Sequence, residues 1–143
     1  MHMKTIEEKH LYPHLVVISF DVNGLKAVND HMGHAAGDEL IRGAAECIRH
    51  SFADYGSIYR TGGDEYAALL VATHEQLEQM QQEFGQYVAQ WRGILVPQIS
   101  ISTGYVEWEE NHEMTVVDMV READVRMYAA KMAYYKEYDR RTH

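Results

Sequence analysis

Two adjacent glycines, Gly62 and Gly63, lie between two segments that are typical of short β-strands. The flanking segments are residues 56–59 (GSIY) and residues 67–71 (AALLV). Glycines in this setting predict a tight hairpin turn, because glycine adopts the backbone angles that short hairpin loops require. Asp64 and Glu65 follow at once, and neighbouring carboxylates repel each other unless a cation lies between them. The sequence therefore predicts an antiparallel hairpin with a cation site beside its turn.

The composition is that of one globular domain, spanning residues 1–143, with an acidic surface. The chain is 46% hydrophobic and 24% charged, and its formal net charge is −9. Binding to a polynucleotide backbone needs a basic face, so we expect no nucleic-acid partner. Cys47 is the single cysteine, the longest apolar run is too short to cross a membrane, and no signal peptide is recognisable. We therefore expect a cytoplasmic domain without membrane insertion.

Hydrophobic periodicity predicts the remaining elements. Residues 15–20 (LVVISF) are apolar and rich in β-branched side chains, which predicts a strand that is buried on both faces and ends at Asp21. A further strand is predicted over residues 97–107. Helices are predicted within residues 3–10, 25–30, 34–50 and 73–92, and from Thr115 onward. The order β, α, α, β, β, α, β, α predicts an α+β fold, in which helices flank a mixed sheet that contains the antiparallel hairpin.

Three carboxylates meet at one edge of the sheet if the first strand pairs with the hairpin. Asp21 ends that strand, and Asp64 and Glu65 follow the hairpin turn. Oxygen ligands suit Mg²⁺ or Mn²⁺ better than zinc, and Mg²⁺ completes its shell with phosphate oxygens of a substrate. Glycines in the turn allow phosphates to approach backbone N–H groups. The pattern is typical of metal-assisted phosphoryl or nucleotidyl transfer.

Asn29 and Asp38 add groups that can recognise a purine base. An amide offers donors and an acceptor, and a carboxylate accepts hydrogen bonds from the N1–H and 2-amino groups of guanine. Adenine has no such pair of donors. Asp38 therefore favours a guanine nucleotide over an adenine nucleotide.

These residues resemble the GGDEF family of diguanylate cyclases over about residues 15–132. The matching motifs, in family order, are Phe20-Asp21, Asn29-Asp30, Gly33-His34, Gly37-Asp38, Gly62-Gly63-Asp64-Glu65-Tyr66, Ala123-Asp124, Met127-Tyr128 and Ala130-Lys131. The resemblance implies a palm-like nucleotidyl-cyclase fold. It also implies that two GTP molecules are joined into cyclic di-GMP with release of two pyrophosphates.

The resemblance implies a role for each matched residue. Of these residues, Asp64 would be the best placed to activate the 3′-hydroxyl of GTP. Asp64 and Glu65 would be the catalytic residues. The implied ligands are Asp21, the Val22 carbonyl, Asp64 and Glu65 for Mg²⁺ or Mn²⁺, Asn29 and Asp38 for guanine, and Lys26, Arg60, Gly62, Gly63 and Lys131 for phosphates. The implied partners are GTP, a second antiparallel copy of the domain, and an N-terminal sensory or regulatory domain.

Two departures from the family pattern lie next to the implied site. Tyr66 stands where the family has phenylalanine, which keeps an aromatic ring on the hairpin. The Gly-Arg-Asn expected after Lys131 is replaced by residues 132–136 (MAYYK), so an arginine that would help to hold phosphate is missing.

Two further departures concern regulation and the start of the domain. The product-inhibition motif Arg-x-x-Asp would fall at Ala53 and Gly56, so we expect no inhibitory site. The opening Asp-x-Leu-Thr-Gly-Leu-x-Asn-Arg motif is absent from residues 1–14, and we expect the domain to belong to a longer protein. The missing arginine and the missing opening motif favour a second hypothesis, a degenerate domain that binds GTP without turnover and acts as a signalling module. A third hypothesis, a cyclase that uses ATP, is disfavoured by Asp38.

Overall fold

The structure is a computed structural model that describes residues 13–110 and 113–142. The helix predicted within residues 3–10 lies outside these residues. The strands are β1 (Leu15–Val22), β2 (Gly56–Arg60), β3 (Glu65–Val71) and β4 (Ile101–Glu107). The helices are α1 (Leu25–Met32), α2 (His34–Phe52), α3 (His74–Gln90) and α4 (Val116–Thr142), with short 3-10 turns at Ala53–Tyr55 and Trp108–Glu110. The elements follow one another in the predicted order.

The strands form one sheet in the order β2-β3-β1-β4. The predicted α+β fold, with its hairpin and flanking helices, is confirmed. Every pairing in the described part of the chain is antiparallel, whereas a mixed sheet was expected. The reason is that β1 lies between β3 and β4, so these two parallel strands never pair with each other.

Strand β1 is buried along its whole length because helices cover both faces of the sheet. Val16, Ile18 and Phe20 point into the core beneath α2 and α3, while Leu15 and Val17 pack with residues of α4. The run is therefore continuously apolar, as the sequence predicted. The strand itself extends one residue beyond the predicted end at Asp21, to Val22.

Helix α4 crosses the sheet at very short range because residue 104 is glycine. A Cβ atom there would lie 2.1 Å from the carbonyl oxygen of Ala123 and 2.4 Å from the backbone nitrogen of Met127. On the same helix, Asp124 accepts a hydrogen bond of 2.6 Å from the hydroxyl of Ser19 on β1. These contacts fix α4 against the central strand, so the following turns of the helix reach the end of β1.

The predicted helix caps are present, and some boundaries differ. Thr73 and Gln76 form a reciprocal capping box at the start of α3. Thr115 and Asp118 cap α4 through hydrogen bonds of 3.1 and 3.3 Å between side chains and backbone N–H groups. Helix α3 ends at Gln90 instead of continuing to residue 92, and β4 begins at residue 101 instead of 97.

The connection between α3 and β4 is held by the carboxylate of Glu39 on α2. It accepts hydrogen bonds from three successive backbone N–H groups, at 2.9 Å from Ile94, 2.9 Å from Leu95 and 2.7 Å from Val96. These bonds lower the pKa of Glu39. They also explain why this segment is an ordered loop and not the start of a longer strand. None of the helices in the described ranges is both long enough and apolar enough to cross a bilayer.

Candidate active site

Three carboxylates converge at the end of β1, as the sequence predicted. Asp21 is paired with Glu65 in the antiparallel register of β1 and β3. The backbone N–H of Val22 donates to the carbonyl oxygen of Asp64 over 2.8 Å, which ties the hairpin to the central strand. One carboxylate oxygen from each of Asp21, Asp64 and Glu65 lies within 4.8 Å of the others.

The carboxylate of Asp21 is the most buried of the three, with 3% of the residue exposed. Burial raises its pKa, the hydrogen bond from Lys131 opposes this rise, and the charge of Asp64 adds to it. One carboxylate oxygen accepts from Nζ of Lys131 over 2.8 Å, while the other is buried without a hydrogen-bond partner. A buried anionic oxygen without a partner is costly unless a cation approaches it, so this donor set fits a divalent metal.

Lys131 places one positive charge in this acidic cluster. Burial lowers the pKa of its ammonium group, but the hydrogen bond and charge of Asp21 outweigh that effect and the pKa is raised. Lys131 is therefore protonated at neutral pH. Three carboxylates and one ammonium group carry a formal charge of −2, which a single divalent cation neutralises.

An open cleft of about 380 Å³ lies beside the cluster, between α1 and the hairpin turn. The residues that line it are Leu25, Lys26, Asn29, Asp30, His34, Gly63 and Asp64. Lys26 pairs with Asp30 over 2.9 Å at the surface of α1. The amide of Asn29, which the sequence predicted to bind guanine, and the carboxylate of Asp64 therefore lie along one concave surface.

Asn29 is held in place by the start of α2. A Cβ atom on Gly37 would lie only 1.8 Å from Oδ1 of Asn29, so the glycine leaves room for this side chain. Asp38 follows Gly37 on α2 and is exposed, but it is not among the residues that line the cleft. Asn29 and Asp38 therefore lie on neighbouring helices, and their recognition of guanine stays a prediction.

The side chain of Arg60 forms its hydrogen bonds within the hairpin turn. Its guanidinium group donates to the carbonyl oxygens of Gly62 over 3.2 Å and Gly63 over 2.6 Å. The N–H groups of Thr61 and Gly62 both donate to the carbonyl of Glu65, over 2.9 and 3.3 Å. These bonds hold the two acids beside Asp21. Phosphate binding by Arg60, Gly62 and Gly63, and metal binding by the Val22 carbonyl, stay predictions.

The structure reveals two residues that the sequence analysis did not place at the site. Asn23 is buried between Ser100 and Ser102, with hydrogen bonds of 2.9 and 3.0 Å, and so anchors the turn after β1. The hydroxyl of Tyr135 accepts a hydrogen bond from the backbone N–H of Gly24. The spacing of Tyr135, four residues after Lys131, puts both side chains on one face of a helix and was the available signal.

A family model described as "Diguanylate cyclase, GGDEF domain" matches residues 3–136. The chain belongs to this family. Its hairpin, with tyrosine at residue 66, is thus a variant of the motif after which GGDEF domains are named. The α+β architecture and the position of the acidic hairpin agree with this assignment.

Two curated relatives illustrate the similarity of this GGDEF domain to known proteins. The chain is 30% identical over 131 residues to the diguanylate cyclase VdcA of Vibrio cholerae and 29% identical over 136 residues to the signalling protein YkoW of Bacillus subtilis. These matches cover 85% and 90% of the chain but only 38% and 17% of the relatives. The chain therefore spans well under half the length of each relative.

A solved structure of the active GGEEF domain of a diguanylate cyclase from Vibrio cholerae matches the fold with a TM-score of 0.76. It is 25% identical in sequence, and the match covers 92% of this chain and 85% of that one. The similarity therefore extends over the whole sheet and its helices.

Proposed function

We propose that this domain is a diguanylate cyclase, which joins two GTP molecules into cyclic di-GMP. The observation that carries the proposal is the carboxylate cluster of Asp21, Asp64 and Glu65, in which one buried oxygen of Asp21 has no partner. The adjoining cleft supplies room for a ligand along α1. Family membership and the similarity to named diguanylate cyclases support this reading.

Each group of this chain has a part in the proposed reaction. Mg²⁺ or Mn²⁺ would be held by Asp21, Asp64 and Glu65 with the Val22 carbonyl, and when bound it neutralises charge on the reacting phosphates. Lys26 and Lys131 would add positive charge at the phosphates. Asn29 and Asp38 would hold the guanine base. Asp64 would accept the proton from the 3′-hydroxyl of GTP.

The chemical step consumes two GTP molecules and needs two copies of the domain. A 3′-oxygen attacks the α-phosphorus of the other GTP, a new P–O bond forms, and the bond to the β-phosphate breaks to release pyrophosphate. The reciprocal attack closes the ring and releases the second pyrophosphate. The cleft adjoins a single hairpin, so we propose that each copy holds one GTP. The two reciprocal attacks then require a second copy in antiparallel orientation.

The proposal extends to the regulation and the location of the domain. An N-terminal sensory or regulatory domain would control the encounter of two copies, and a GTP substrate would be consistent with a cytoplasmic location. The direct test is to incubate the protein at high concentration with GTP and Mg²⁺ or Mn²⁺ and to measure cyclic di-GMP by chromatography. We expect product from the native chain and none from Asp64→Asn. Glu83→Gln on the exposed side of α3 is the matched control and should retain activity.

A second candidate is a domain that binds GTP without turnover. It is favoured by residues 132–136 (MAYYK), which contain no arginine to hold phosphate. GTP binding in the micromolar range without any cyclic di-GMP would overturn the proposed cyclase and support this candidate. Absence of both binding and product would reject both.

The base preference is tested separately. Asp38→Ser removes the carboxylate that would accept from guanine, so the preference for GTP over ATP should fall. Competition binding with the two nucleotides measures it. An unchanged preference would remove Asp38 from the guanine site.

A further inference from the structure

Tyr135 links the last helix to the turn that follows the central strand. Its hydroxyl oxygen accepts a hydrogen bond from the backbone N–H of Gly24, with a nitrogen–oxygen distance of 3.0 Å. One helical turn earlier, Lys131 bonds to Asp21, and Nζ of Lys131 lies 6.0 Å from the centre of the Tyr135 ring. Successive turns of α4 therefore contact the carboxylate cluster and the start of α1.

Gly24 directly precedes the first turn of α1. It has φ 78° and ψ 13°, and no side chain caps α1. The first N–H groups of a helix have no acceptor within the helix, and they form its positive end. Such a turn is suited to a phosphate group.

The carboxylate cluster lies close to this turn in the chain. Asp21 precedes Gly24 by three residues, and its second carboxylate oxygen is buried without a partner. Because Asp21 and Gly24 are so close in the chain, a phosphate held beside the carboxylate cluster would lie next to the turn that begins at Gly24. In the free protein, the hydroxyl oxygen of Tyr135 accepts the hydrogen bond from this N–H instead.

The surroundings leave space for the Tyr135 ring to move. The ring lines a cavity of about 610 Å³ between α1, the loop at residues 98–100 and the end of α4. Tyr135 is only half-buried. The hydroxyl can therefore leave Gly24 without disturbing the core beneath the sheet.

We propose that the Tyr135 hydroxyl occupies the Gly24 N–H in the free protein and must release it before the terminal phosphate of GTP binds at the turn before α1. The inference rests on the proposed GTP-binding function. It makes Tyr135 a residue that discriminates ligands by the length of their phosphate chain. A nucleotide that bears one phosphate, such as GMP, does not compete with the hydroxyl and gains nothing from its removal.

The test compares binding of GTP and GMP, each with Mg²⁺, to the native chain and to Tyr135→Phe by calorimetry. The variant keeps the ring and removes the hydroxyl. We expect about threefold to tenfold tighter binding of GTP, the range that corresponds to one net hydrogen bond, and unchanged binding of GMP. Tyr128→Phe makes the same chemical change on an exposed part of α4 and should alter neither ligand.

Several outcomes would overturn the inference. Unchanged GTP affinity in Tyr135→Phe would mean that the hydroxyl does not compete with phosphate. Weaker GTP binding would make the hydroxyl a donor to phosphate and not a closure. An equal change for GTP and GMP would indicate a general structural effect. Failure of the native chain to bind GTP would instead refute the proposed function, so the two failures are distinguishable.

A measurement on the native chain gives an independent check. The amide resonance of Gly24 should shift when a non-hydrolysable GTP analogue and Mg²⁺ are added, and it should remain in place with GMP and Mg²⁺. A Gly24 resonance that stays in place while the Asp64 resonance shifts with the analogue would overturn the inference.

Discussion

Lys131 and Asp21 form an ion pair of 2.8 Å between the last helix and the central strand, with side chains that are 21% and 4% exposed. The pair satisfies only one of the two carboxylate oxygens of Asp21. The ammonium group therefore compensates part of the buried charge in the free protein, and the remaining oxygen is available to a metal ion. This relationship couples the stability of the fold to the charge of the proposed site.

Removal of the ammonium group should destabilise the protein. Lys131→Met leaves the buried carboxylate of Asp21 without its partner, and we expect a loss of about 3 kcal/mol in the free energy of unfolding. Urea denaturation measures the loss, and Mn²⁺ should restore part of it because the metal would bind the same carboxylate. Lys136→Met, at an exposed position of the same helix, is the control. Equal losses in the two variants would contradict the role of the ion pair.

Gly37→Ala should weaken nucleotide binding while leaving the free energy of unfolding nearly unchanged. The added methyl group would lie 1.8 Å from Oδ1 of Asn29, so the amide must turn away from its present position. Alanine stabilises a helix interior by roughly 1 kcal/mol relative to glycine, which offsets the cost of moving a half-buried side chain. We therefore expect at least tenfold weaker GTP binding, which corresponds to about 1.4 kcal/mol, at nearly native stability.

Gly85→Ala on α3 is the matched control for this substitution. A Cβ atom at Gly85 would meet no atom within 4 Å. The control should gain stability by up to about 1 kcal/mol and bind GTP as the native chain does. Thermal denaturation and calorimetry measure the two properties. Native GTP affinity in Gly37→Ala would show that the orientation of Asn29 is irrelevant to binding.

His74 should make stability depend on pH near neutrality. Its ring nitrogens lie 2.9 Å from Glu107 and 2.8 Å from Glu78, and the hydrogen bond to Glu107 is the main reason that the pKa of His74 is raised above 6.5. A raised pKa in the folded state means that the stabilisation is complete below 6.5 and is lost as the pH rises through the folded-state value. The native chain should therefore be less stable at about pH 8.5 than at about pH 6.

His74→Gln should remove this part of the pH dependence. Urea denaturation at the two pH values gives the difference for each variant. His50→Gln, on the exposed side of α2, is the comparison and should retain the native pH dependence. A native-like slope in His74→Gln would assign the effect to other groups.

Tyr66→Phe tests the hairpin variant of this chain. The Tyr66 hydroxyl donates to the carbonyl oxygen of Ile41 on α2 over 3.1 Å, and the residue is 4% exposed. Loss of this hydrogen bond should cost about 1 kcal/mol in the free energy of unfolding. The ring stays in the core, so cyclase activity should persist. Full loss of activity without loss of stability would give the hydroxyl a direct part in the reaction.

Much of the candidate site could be predicted because it rests on local patterns. The turn at Gly62-Gly63 places Asp64 and Glu65 at the start of a strand, and an apolar run carries Asp21 at its end. Once β1 pairs with β3, the register brings these acids together. The start of β4 and the length of α3 were predicted less accurately, because the hydrogen bonds from a distant loop to Glu39 decide them.

The sequence by itself determined the element order, the acidic hairpin and the residues that are proposed to bind metal and guanine, because these follow from short-range periodicity and from chemical type. Only the tertiary structure decided how they are used. Arg60 binds carbonyls of its own turn, Lys131 pairs with Asp21, and Tyr135 takes the N–H of Gly24. The last two contacts join residues more than 100 positions apart in the chain. They depend on the close crossing of α4 over the sheet, which no local pattern encodes.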